Sequence, residues 1–132
     1  MSAISVRNIK PGNVVKAELL PSCGYARDSI QVLLDENSSI GLVVANDGDV
    51  TPYGTVEEKE ATMDRVAVII GTEVYDLRPA PGQAAVLATV PALVRGSIVG
   101  DANLDFGLAS IAGKDSAISI LKAQGVLVET QV

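Results

Sequence analysis

The chain has no histidine and no tryptophan, and its 132 residues include one cysteine, one phenylalanine and three tyrosines. Each shortage removes a class of chemistry. Without an imidazole there is no Ser-His-Asp triad, no histidine base for the Cys23 thiol, and none of the commonest zinc ligand. A single cysteine cannot form an intrachain disulfide, which fits a reducing compartment and leaves stability to packing and assembly. Four aromatics are too few for a base-stacking platform, and 16 acidic against 10 basic residues give a net charge of -6 that repels phosphate backbones. Nucleic acid is therefore not an expected partner. No apolar run reaches the roughly 20 residues of a membrane helix. The longest mostly apolar stretch, Ala84 to Val94, contains Pro91 and ends at Arg95. The opening MSAISVRNIKPG lacks the apolar core of a signal peptide, so neither export nor a membrane is expected.

What is present is aliphatic: 48% of residues are hydrophobic and only 3% aromatic. A core of Val, Ile, Leu and Ala favours pleated strands, and the length suits one domain. Short apolar segments recur between turn clusters: Val14–Leu20, Ile30–Leu34, Ile40–Ala45, Val66–Ile70, Val74–Leu77, Val86–Val90, Leu93–Val99 and Val126–Val128. The turns fall at Pro21–Gly24, Asp35–Ser38, Asn46–Asp49 and Pro79–Gly82. Two stretches read as helical. Asp115 is positioned to cap a helix carrying Ala117, Ile118, Ile120 and Leu121 on one broad face, and Gly125 supplies its left-handed stop before a closing strand. Thr55 and Glu58 form a possible capping box opening an acidic segment, Glu57 to Asp64, that reads as helix or loop. The expectation is an α+β, β-rich single domain over 11–132, sandwich-like or barrel-like, with one short C-terminal helix. Residues 1–10, where Ile4 and Val6 alternate with polar residues before the Pro11–Gly12 turn, read as a flexible arm or a first strand.

Motifs with possible chemistry do not develop. Asp101, Asn103 and Asp105 have the spacing that opens an EF-hand loop, but Phe106 stands where glycine is required and Ala112 where a bidentate glutamate is required. Asp105-Phe106-Gly107 matches a kinase magnesium-binding triplet without a phosphate loop or catalytic loop to accompany it. The carboxylates show no spacing that selects a catalytic pair, so a solvated acidic surface is expected, with no enzyme activity, metal or cofactor.

Three stretches together resemble the lambda-type bacteriophage head decoration proteins: Tyr25–Val32; Ala92–Val99 followed by Leu104-Asp105-Phe106; and Asp115–Val128. The first is similar to an aromatic-Ser-Arg strand entrance with Ala26 in place of Ser, the second to a strand bearing an Arg-Gly pair, here Arg95-Gly96. Ile40–Val43 departs from the family pattern, and Glu57–Asp64 has no obvious counterpart in it. The resemblance implies a homotrimer on the outer surface of an expanded head, at three-fold or quasi-three-fold sites. There it would clamp the major capsid protein without any reaction, after passing through the host cytoplasm during assembly. It also implies an arm that engages the shell through Ile4, Val6 and Ile9, while Arg95, Gly96 and Gly125 serve structure. The competing expectations are another trimeric phage component, of the tail tube or an adaptor, and a small β-barrel ligand-binding domain or enzyme.

Overall fold

The computed structural model describes residues 14–18, 26–48, 52–60, 62–100 and 104–129. The expected arm with Ile4, Val6 and Ile9 lies outside the described residues, as do Cys23, Asp101 and Asn103. In chain order the elements are β1 (Val15–Glu18), β2 (Arg27–Leu34), β3 (Val43–Asn46), β4 (Gly54–Thr55), α1 (Val56–Lys59), β5 (Arg65–Ile69), α2 (Glu73–Leu77), β6 (Val86–Leu93), β7 (Ser97–Gly100), α3 (Ile111–Gln124) and β8 (Val126–Glu129).

Alternation sets the orientation of β2, where Ile30, Val32 and Leu34 point inward while Ser29, Gln31 and Leu33 face out. It pairs with β6 over all eight residues, from Arg27 opposite Leu93 to Leu34 opposite Val86. The larger sheet runs β2-β6-β5-β3-β4. Tyr53, just before β4, then returns the ladder to β2: its N–H donates to the Gln31 carbonyl at 2.8 Å, and its carbonyl accepts from the Leu33 N–H at 3.0 Å. The sheet thereby closes on itself as a small barrel through this one bridge at Val32 and Tyr53. Closure needs β3 and β5 to be covered on both faces, and their sequences comply: all of Val43–Asn46 and Val66–Ile69 are buried. Helix α3 packs over β5 and α1 over β3.

A second sheet, β1-β7-β8, adjoins the barrel. β7 and β8 are parallel, with Ser97 opposite Val126 and Gly100 opposite Glu129. Parallel neighbours require a crossover of a dozen residues or more, and α3 supplies it. The architecture is the α+β, β-rich one expected, with a short C-terminal helix, plus two single-turn helices. One aliphatic cluster fills the interior; Leu34, Ile40, Ile69, Ile70, Leu93 and Leu121 are its largest fully buried members. Each such side chain contributes about 1.5–3 kcal/mol through burial.

Three elements differ from expectation. Val74–Leu77 is not a strand but part of α2, with Val74 buried, because four residues with apolar ends satisfy one helical turn as well as a strand. Leu93–Val99 is not continuous: β6 runs through to Leu93, and Gly96, at φ 55°, turns the chain into β7. The cap of α3 is Ser110, not Asp115, five residues earlier than expected; its hydroxyl accepts from the Gly113 N–H at 3.0 Å. The capping box at Thr55 and Glu58 does form and opens α1.

Candidate interaction surface

The residues singled out in the last third of the chain converge at one junction. Gly125 ends α3 at φ 94°, with its N–H directed at the Leu121 and Lys122 carbonyls. A Cβ added there would lie 3.2 Å from the Gly96 backbone nitrogen, so the two glycines face each other at the turn into β7 and the turn into β8. The Gly125 carbonyl accepts from the Ser97 N–H at 3.1 Å, which starts the parallel pair. Arg95, beside this turn, reaches Asp28 on β2 through Nη2–Oδ2 at 2.7 Å and a weaker Nη1–Oδ1 contact at 3.4 Å. Both side chains are substantially exposed, so this ion pair orients the turn more than it stabilises it.

Gln124 is a structural residue that the sequence did not single out. Its Oε1 accepts from the Val66 N–H at 2.9 Å, and its Nε2 donates to the Val66 carbonyl at 2.7 Å and to the Val94 carbonyl at 3.0 Å. One amide thus completes the backbone pairing at the start of β5 and joins it to the chain leaving β6. A glutamine before a helix stop carries no local signal of this, because its partners are 58 and 30 residues away.

On the neighbouring surface, Glu18 and Arg27 form a two-pronged pair, Nε–Oε1 at 2.7 Å and Nη2–Oε2 at 3.0 Å. The hydrogen bond from Arg27 holds the Glu18 carboxyl below its ordinary pKa against the opposing effect of burial, and the arginine charge adds to the lowering. The same bond raises Arg27. At the other end of α3, Glu60 reaches across from the end of α1 and accepts from both the Ser110 hydroxyl and the Ser110 N–H. Its carboxyl is held below the ordinary glutamate value, first by the hydroxyl and then by the backbone donor. Gly113 makes room for it: a Cβ there would collide with Glu60.

The motifs considered for chemistry have structural uses. The Asp105 carboxylate accepts from the Gly107 N–H at 2.7 Å, closing a turn, and its backbone pairs with Gly41 and Val43. Asp47 pairs with Lys59 at 3.7 Å. Among the described residues, no three His, Cys, Asp or Glu side chains are grouped to hold a metal, and no helix is long and apolar enough to cross a membrane. Comparison of the chain with protein-family models, curated proteins and solved structures returned no match.

Proposed function

We propose that this chain is a head decoration protein of the lambda type: a homotrimer that binds the outside of an expanded phage head and cements neighbouring major capsid protein subunits. The observation that carries the reading is the convergence at the Gly96–Gly125 junction. The three stretches that resemble the family lie far apart in sequence, yet their described parts form one unit in space. β2 pairs with β6, Asp28 with Arg95, and β7 with β8, while Gly125 abuts Gly96.

The mechanism requires no bond making. A rigid body presenting three equivalent binding elements engages the shell as linked modules, so contacts that are weak singly gain on the order of 100-fold or more from effective concentration. The gain exists only where the sites have the right spacing, which makes binding sensitive to shell expansion. The arm with Ile4, Val6 and Ile9 is the proposed shell-binding element, adding a strand to a capsid edge while its apolar side chains enter pockets.

The test is cosedimentation of purified protein with isolated heads and with isolated tails. Binding to expanded heads alone is the expected result. Binding to tails instead would favour a tail-tube or adaptor role, and binding to neither would remove the phage assignment.

A further inference from the structure

The start of α3 presents apolar and acidic groups on one continuous face. Leu108 and Ile111 are 85% and 82% exposed, the highest values among the large aliphatic side chains described. Single exposed aliphatics are ordinary on protein surfaces, but an adjacent pair rimmed by polar groups is the form that contact sites take. Ser110, between the two in the chain, is bonded through its hydroxyl and its N–H to the Glu60 carboxylate. Asp115 follows Ile111 by four residues, about 40° around the helix, so it stands on the same side. Beyond it the face continues as a groove of about 440 Å³ lined by Glu60, Met63, Asp115, Ser116, Ser119 and Ile120. Met63 and Ile120, half-buried against the core, give the groove an apolar floor, and the two carboxylates make its walls acidic.

The described residues do not neutralise that charge. Among them Asp115 has no ion-pair partner, and Glu60 accepts only the two Ser110 donors although a carboxylate offers about four acceptor sites. The nearby lysines are engaged elsewhere. Lys59 pairs with Asp47 at 3.7 Å. Lys114 lies on the far side of Ile111 from Asp115, with its ammonium 5.3 Å from the Phe106 ring centre. Lys122 is about two turns beyond Asp115 and does not line the groove.

A lysine or arginine side chain matches this lining along its length. Its methylene stem suits the floor of Met63 and Ile120, and its cationic head suits Glu60, Asp115 and the hydroxyls of Ser116 and Ser119. Leu108 and Ile111, next to the groove, would be covered by an aliphatic side chain. A free polyamine lacks one, whereas a polypeptide can carry it beside its basic residue. We infer that this face docks a short segment of another protein in which aliphatic and basic residues are adjacent. Neither the arm nor the Gly96–Gly125 junction enters the inference, so it stands apart from the head-binding reading.

Fluorescence anisotropy of the purified protein with labelled peptides tests the assignment. The probes carry two leucines beside two lysines, in either order, between glycine spacers. Controls replace the leucines with serine or the lysines with glutamate, and spermidine serves as a free polycation. Saturable binding of a leucine-lysine probe is expected, weakening as salt screens the acidic walls. Leu108→Ser/Ile111→Ser, Asp115→Lys and Ser119→Tyr should each weaken it at least about tenfold. All four positions are exposed, and the three separate changes keep the test intact if one variant misfolds. Glu73→Gln/Asp76→Asn, which makes the same change in net charge as Asp115→Lys but on α2, should leave binding as it was. Absence of saturable binding, unchanged binding by the α3 variants, or an equal loss in the α2 variant overturns the inference. So does a serine probe that binds as tightly as the leucine probe, or full displacement by spermidine at matched charge, since either would reduce the face to a cation site.

Discussion

At Gly125, backbone conformation and packing act together. Its φ of 94° is one that residues with a Cβ rarely adopt, and the Gly96 backbone occupies the space a Cβ would approach. Gly125→Val is expected to destabilise by about 1–3 kcal/mol, read as a lower midpoint in urea titration. A midpoint equal to the parent's would contradict the described helix stop. Gln124→Leu tests the residue the sequence left unmarked. It removes three hydrogen bonds and strands the Val66 N–H, at about 1–3 kcal/mol for each group left unsatisfied, so a drop of at least about 2 kcal/mol is expected from the same titration. Glu60 sets a pH dependence. Its pKa is depressed in the folded state, so its contribution is present above the ordinary value of 4.5 and is lost as pH falls through the lower folded value. Thermal melts across this range should show the parent losing more stability on acidification than Glu60→Gln. Glu18, depressed by Arg27, acts in the same direction in both proteins and cancels in that comparison.

At the scale of elements, the Glu60 contact explains why the start of α3 was hidden. Gly113 inside the first turn reads as a poor helix former, which moves the apparent start to Asp115. Its actual role is to admit a carboxylate from another element, and only tertiary structure discloses that. Ser110→Ala should remove both the cap on Gly113 and the Glu60 partner, lowering stability by about 1 kcal/mol from the cap alone. In that variant Glu60→Gln should no longer change the acid dependence; if it still does, the carboxylate acts elsewhere. Signals confined to a few residues were legible in the sequence: the Thr55–Glu58 box, the Gly125 stop, and the alternation of Ile30, Val32 and Leu34. Pairings set by distant partners were not. The return of Tyr53 to β2, the parallel run of β7 and β8, and the bridge made by Gln124 depend on partners distant in sequence, not on local pattern. Val74–Leu77 failed for a different reason, since a segment of that length satisfies either period.

For the whole molecule, the barrel and the smaller sheet are joined through α3, which packs on β5 of the one and β8 of the other. Arg95, Gly96 and Gly125 all fall at the junction of these two sheets. In the proposed division of labour the shell is gripped from the opposite end of the chain. Deleting residues 1–10 should therefore leave the melting temperature and the native mass of the body unchanged while weakening head binding at least about tenfold, because three linked contacts are lost together. An unfolded truncation would make the arm part of the core. The most direct measurement of the central claim is the binding of purified protein to expanded and unexpanded heads stripped of decoration, counted by quantitative gel after sedimentation. Saturable binding in multiples of three to the expanded form alone is the predicted result; equal binding to both forms would contradict the account.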